Sequence, residues 1–144
     1  MTVSELKDYK QDFLRSYKQP KVITTSRQHP VSTGVNTSDR HALGGISWIQ
    51  YYRAFTDPTI RVFKCACCGK SISDDPDVVD MDEVVYEAQG GHIMFSGKDA
   101  DPDVLLDYYI VPMCEDCNKP DKKDVTILPS TTAVQEIAAL VTKG

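Results

Sequence analysis

The chain has 144 residues, of which 41% are hydrophobic and 26% charged, and it carries a formal net charge of −5. That length suits one domain with a modest core, and no apolar run nears the ~18 residues that a membrane-spanning helix needs. Five cysteines is an odd number, and the opening Met1-Thr2-Val3-Ser4-Glu5 leads into a polar stretch with no secretory pattern, so the expectation is a reducing, cytoplasmic setting rather than a disulfide framework.

Charge is unevenly placed along the chain. Residues 1–64 carry ten Lys/Arg against five Asp/Glu, and residues 65–144 carry six against sixteen. A basic first part therefore precedes an acidic second one.

In chain order, the first predicted element is a helix over residues 3–18. Thr2 and Glu5 have capping-box spacing, Leu6, Tyr9, Phe13 and Tyr17 fall near one face, and Gln19-Pro20 ends the run. Lys7, Lys10, Arg15 and Lys18 read as its solvated face. From Lys21 to Gly45 the sequence is polar and aperiodic; beyond a short extended Lys21–Thr24 it reads as a surface loop, in which Arg27, His29, Arg40 and His41 could cluster around a phosphate or a partner. Ile46 to Phe55 is dense in aromatics, with Ile49, Tyr52 and Phe55 at helical spacing and Thr56-Asp57-Pro58 as the stop. Two parts are expected, residues 1–45 (helix and polar loop) and residues 46–144, folding as one unit.

Thr59–Phe63 alternates and reads as a strand delivering Cys65, and Gln89–Phe95 as a strand with His92 at its start. Tyr108–Met113 is an apolar strand that Pro112 confines to an edge or a terminus. Asp116-Cys117-Asn118 is expected to begin a short helix, Val125–Leu128 to form a strand, and residues 133–142 to form a last helix. For that helix Thr132 and Gln135 have capping-box spacing, and Val134, Ile137, Ala138 and Val141 supply an apolar face.

The chemistry lies in two paired cysteines. Cys65-Ala66-Cys67-Cys68-Gly69-Lys70 and Cys114-Glu115-Asp116-Cys117-Asn118-Lys119 each place two sulfurs across one tight turn, and four thiolates are what Zn²⁺ takes in a closed structural site. Cys65, Cys68, Cys114 and Cys117 are the candidate ligands. Cys67 either replaces a neighbour as ligand or packs as a small hydrophobe. A thioredoxin-like redox pair would need a βαβ context that the sequence lacks.

The order Cys-x-x-Cys, then Gly91-His92-Ile93 on a strand, then an apolar strand into Cys-x-x-Cys-Asn resembles the zinc-stabilised branch of the HNH endonuclease family, over about residues 46–128. It is also similar to small bacterial and phage zinc proteins with that layout. The resemblance implies an α+β fold, a treble-clef, ββα-metal core flanked by N-terminal and C-terminal helices. It makes His92 the general base for an attacking water and Asn118 its partner beside a catalytic Mg²⁺ or other divalent cation. The chain departs from that pattern: Gly91 stands where an Asp or His ligand precedes the base, Tyr109 where an Asn orients it, Phe95 where a Pro follows it, and Pro120 inside the next helix.

Three functions follow. The favoured one is a zinc-stabilised HNH-like binding module, not itself catalytic, that meets a protein or nucleic-acid partner in or beside a nucleic-acid-processing system. The second is a divergent metal-dependent endonuclease using His92 and Asn118. The third is an acidic inhibitor or nucleic-acid mimic, such as a phage anti-defence protein, in which the carboxylates from Asp74 to Asp107 stand in for phosphates.

Overall fold

The computed structural model describes residues 1–26, 28–33, 40–42, 44–75, 78, 85–95, 108–118, 124–135 and 142–143. Helix α1 (Val3–Ser16) is capped as its sequence predicts: Glu5 N–H donates to Thr2 Oγ1 at 3.1 Å, and Thr2 N–H donates to Glu5 Oε1 at 2.9 Å. Three short strands follow, β1 (Val22–Thr24), β2 (His29–Thr33) and β3 (Arg40–His41). Helix α2 (Trp48–Phe55) has its own capping box from Ser47 and Gln50. Then come β4 (Phe63–Lys64), β5 (Ser71–Ser73), β6 (Tyr86–Phe95), β7 (Tyr108–Cys114), β8 (Asp124–Ile127), β9 (Thr132–Gln135) and β10 (Thr142–Lys143). No helix among the described residues is long and apolar enough to cross a membrane.

The class is α+β, with helices α1 and α2 against a mixed sheet among the described residues. The main sheet runs β1-β9-β7-β6-β2-β8, β5 adds to β6 in parallel, and β4 pairs with β5. Its centre is the antiparallel pair β6/β7, in register from Ala88↔Cys114 to Met94↔Tyr108. Val31, Ile72, Ile93, Ile110, Val111, Met113, Ile127 and Val134 form the buried floor. Aromatic rings join α1 to α2 above it: Phe13 lies 4.8 Å from Phe55 and 6.2 Å from Tyr51, both edge-on, a geometry that favours ring quadrupoles. Two phenols tie α2 to β9, Tyr51 Oη donating to Gln135 O at 2.9 Å and Tyr52 Oη to Thr132 O at 2.8 Å.

Three expectations need correction, and a fourth falls largely outside the described residues. The segment read as a loop contains β2, which lies inside the sheet between β6 and β8; it has Val31 as its one aliphatic residue and no apolar alternation, so backbone pairing places it. The expected strand Thr59–Phe63 shrinks to Phe63–Lys64, because Asp57 Oδ1 accepts from Thr59 N–H at 3.0 Å and Ile60 N–H closes on Asp57 O, a turn rather than an extended run. After Cys114 the chain makes a turn closed by Asn118 N–H on Cys114 O at 3.0 Å, and β8 begins at Asp124; the helix expected to follow would fall in 119–123, outside the described residues.

The expected C-terminal helix over 133–142 is a strand where it should begin. Thr132 and Gln135 do not cap a helix. Thr132 Oγ1 meets Thr24 Oγ1 at 3.1 Å, and Gln135 Oε1 accepts from Lys21 N–H at 3.0 Å. Ala133 and Val134 are both fully buried, since β9 sits between β1 and β7 with each face covered. Residues 136–141 of that expected helix are outside the described set, and Thr142–Lys143 pair with Arg40–His41.

Pro112 is placed as its chemistry requires. β9 reaches only Tyr109 and Ile110 of β7, so the strand has lost that neighbour by Pro112. Pro112 O accepts from Ala66 N–H at 2.8 Å, and a strand residue's N–H and C=O point to the same side, so the missing donor faces the first cysteine turn and takes no ladder bond from β6.

That turn is anchored to α2 by a buried ion pair. Arg53 Nη1 lies 3.1 Å from Asp74 Oδ2, with side chains 9% and 10% exposed, and Arg53 Nη2 donates to Pro58 O at 2.6 Å. Arg61 holds Asp75 through Nη2 at 2.7 Å, and Ser73 Oγ donates to Arg61 O. Two arginines of the basic part thus neutralise the first two carboxylates of the acidic part.

Two tests follow from the packing. A Cβ at Gly90 would lie 2.6 Å from the Trp48 backbone carbon and 2.7 Å from Ile49 N, whereas at Gly91 it would meet the Met113 side chain. Gly90→Ala is therefore expected to destabilise by about 3 kcal/mol or more and Gly91→Ala by about 1–3 kcal/mol, as backbone yields less readily than a thioether; urea titration measures both. Arg53→Met alone should cost about 3–5 kcal/mol because it strands a buried carboxylate, while Arg53→Met with Asp74→Leu should recover most of that loss.

Candidate metal centre

The two cysteine turns come from different elements and meet at one point. The first spans β4 to β5: Cys65 N–H donates to Lys70 O and Gly69 N–H to Cys65 O, both at 2.9 Å. Gly69 adopts φ +78°, a left-handed conformation that a side chain would strain. The second turn ends β7. Ala66 bridges the parts, its N–H on Pro112 O and its carbonyl accepting from Leu128 N–H, each at 2.8 Å.

The sulfurs of Cys65, Cys68, Cys114 and Cys117 all lie within 4.8 Å of one another. Cys68 Sγ and Cys114 Sγ are 3.8 Å apart. A tetrahedron with metal–sulfur bonds of ~2.3 Å has edges of about 3.8 Å, which is the Cys68–Cys114 separation. A disulfide would need about 2.05 Å, and all five cysteines are free. These four residues could hold a metal ion. Cys67 is not in the group; it is half-buried and packs against the core.

The electrostatics of the sulfurs favours a positive charge among them. The Cys67 thiol, with backbone N–H groups of Cys68, Cys114 and Cys67, holds Cys65 well below the ordinary thiol range, against the opposing effect of burial; the Cys114 N–H donates at 3.4 Å. Hydrogen bonding to that thiolate, then burial, pushes Cys67 up. Burial first, then the Cys65 charge among other causes, raises Cys68 and Cys117. Without a cation the group cannot carry several thiolates at once; a dication in its middle reverses that balance.

His92 and Asn118 are not brought together. His92 is buried, 3% exposed, with its ring edge-on to Trp48 at 4.8 Å. It shares a face of β6 with Gly90, whose missing Cβ also points at Trp48. Asn118 lies on the other face: Nδ2 donates to Gln89 Oε1 at 2.9 Å, and Oδ1 would be 3.3 Å from a Cβ at Gly91. A strand puts neighbouring residues on opposite faces, so the resemblance's base and its partner do not share a site. A carboxylate at position 91 would also collide with the Met113 thioether.

Of the carboxylates between the turns, Asp74 and Asp75 face arginines and Glu87 is exposed. Asp77, Asp80, Asp82, Glu83, Asp99, Asp101, Asp103 and Asp107 lie outside the described residues, as do Arg27 and the side chains of His29, Arg40 and His41. Sequence reasoning missed two things here: the Arg53–Asp74 anchor and the pairing of Lys70 with Asp116 across the two turns. Only the second left a signal, a Lys two places after Cys68 and an acid between Cys114 and Cys117.

Comparison with family models, curated proteins and solved structures gives no match.

Cys114→Ser is expected to abolish stoichiometric metal binding and the cooperative unfolding transition of the cysteine region, while Cys67→Ser keeps both; metal analysis with thermal unfolding separates them. Thiols must lose their protons to become ligands, so loading weakens as pH falls: apparent affinity should drop steeply below neutrality, by a factor of about ten per pH unit for each proton released, in a competition titration.

Proposed function

We propose that this chain is a zinc-stabilised, HNH-like binding module that works on or beside a nucleic-acid-processing system without itself being catalytic. The convergence of Cys65, Cys68, Cys114 and Cys117 within 4.8 Å carries the reading. Four sulfur donors with no oxygen or nitrogen among them select a soft or borderline ion, zinc above all, and leave no open position for water or substrate. The ion is a structural cross-link between the two turns.

The layout supports the HNH-like part: a cysteine turn on a hairpin, the long antiparallel pair β6/β7, and a second cysteine turn at the end of β7. The non-catalytic part rests on His92, buried against Trp48 on the face of β6 away from Asn118. A general base needs the proton of its water within hydrogen-bond reach, and this ring is enclosed by the core. The nucleic-acid setting comes from the layout and the basic first part of the chain, whose exposed Lys7, Arg15 and Lys18 remain on the surface of or just beyond α1.

The deciding experiment incubates the zinc-loaded protein with single- and double-stranded DNA and RNA in Mg²⁺, Mn²⁺ or Ni²⁺, with His92→Ala in parallel. No cleavage by either protein is expected. Metal-dependent nicking that vanishes in His92→Ala would overturn the reading in favour of an endonuclease.

A further inference from the structure

Three of the four clustered cysteines are buried, and Cys68 alone is exposed. The metal centre therefore has one corner open to water. Lys70 follows Cys68 by two residues at the end of the same turn. Its carbonyl is fixed by Cys65 N–H at 2.9 Å, which locks its backbone to the first turn. Its ammonium is 3.5 Å from Asp116 Oδ2, in the middle of the second turn, and 4.7 Å from the centre of the Tyr86 ring. A lysine side chain on a surface loop is normally free to sample solvent; this one is 31% exposed and is held by a carboxylate from one side and an aromatic face from the other.

Four thiolates around a dication leave two negative charges in excess, and a cation beside the sulfurs stabilises the thiolate form that a metal requires. We propose that Lys70 is the charge-compensating residue of the metal centre, positioned by Asp116 and Tyr86 so that its ammonium offsets the excess negative charge at the open Cys68 corner and strengthens the hold on the ion. Asp116 serves as the arm that draws the ammonium across from one turn to the other. The inference rests on the zinc reading above and adds to it a residue outside the cysteine set.

The test uses the full chain as wild type, Lys70→Met, Lys70→Gln and Lys70→Arg. Zinc content is measured first, then zinc affinity by equilibrium competition with a colorimetric chelator. The titrations are run at about 0.1 M and about 1 M NaCl, where the screening length falls from ~10 Å to ~3 Å. Both neutral variants are expected to bind zinc about three- to ten-fold more weakly at the lower salt, a range set below that of buried supporting groups because the site is partly exposed. Lys70→Arg should stay within about two-fold of wild type, and the gap should close at the higher salt. Equal affinity of Lys70→Met, Lys70→Gln and wild type would overturn the proposal. So would equal weakening of all three variants, or a gap indifferent to salt, because either result marks a geometric rather than an electrostatic role. A wild type that binds no zinc would instead overturn the metal reading, and the first measurement shows that separately.

Discussion

Two turns far apart in sequence must bring four sulfurs to one point, and the rest of the structure is arranged to let them. Cys68 and Cys114 are 46 residues apart yet 3.8 Å apart in space. Closing a loop of that length costs chain entropy, and four thiols crowded together without a cation add a charge problem to it. The backbone solves the first part by holding Ala66 between Pro112 and Leu128, which clamps the first turn against the end of β7 and the exit of β8. A dication held by the four sulfurs would solve the second, and metal binding and the folding of this region would then share one free energy.

The helices make the platform on which this convergence happens. α2 lies so close to β6 that Gly90 has no room for a Cβ beneath Trp48, and α1 closes over α2 through Phe13, Tyr51 and Phe55. The same packing encloses His92, which lies on the Gly90 side of the strand against Trp48. A ring used this way contributes apolar area and edge-to-face contact to the core. Charge follows the same logic: the basic and acidic parts of the sequence meet at Arg53–Asp74 and Arg61–Asp75, which anchor the first cysteine turn to the end of α2. An acidic surface read from composition alone would have counted both of those aspartates as free.

What the sequence made legible was whatever a local pattern determines. The four cysteines, the capping box of α1, the aromatic helix α2 and the strands carrying His92, Pro112 and Val125 all stand within a residue or a few of where spacing put them. What it hid was whatever a distant partner determines. β2 is polar and aperiodic, and only its neighbours on both sides make it a strand. Thr132 and Gln135 have the spacing of a helix start, but Thr24 and Lys21, more than 100 residues away, take the same two side chains for a sheet. His92 and Asn118 belong to one motif by order alone; the alternation of β6 separates them.

A structural zinc held as proposed would have four sulfurs and nothing else around it. X-ray absorption at the zinc edge, on protein purified without added metal, tests it most directly. About one zinc per chain with four sulfur neighbours at about 2.3 Å is expected. A spectrum fitted by nitrogen or oxygen neighbours in place of any of the sulfurs, or protein that folds fully with no bound metal, would contradict it.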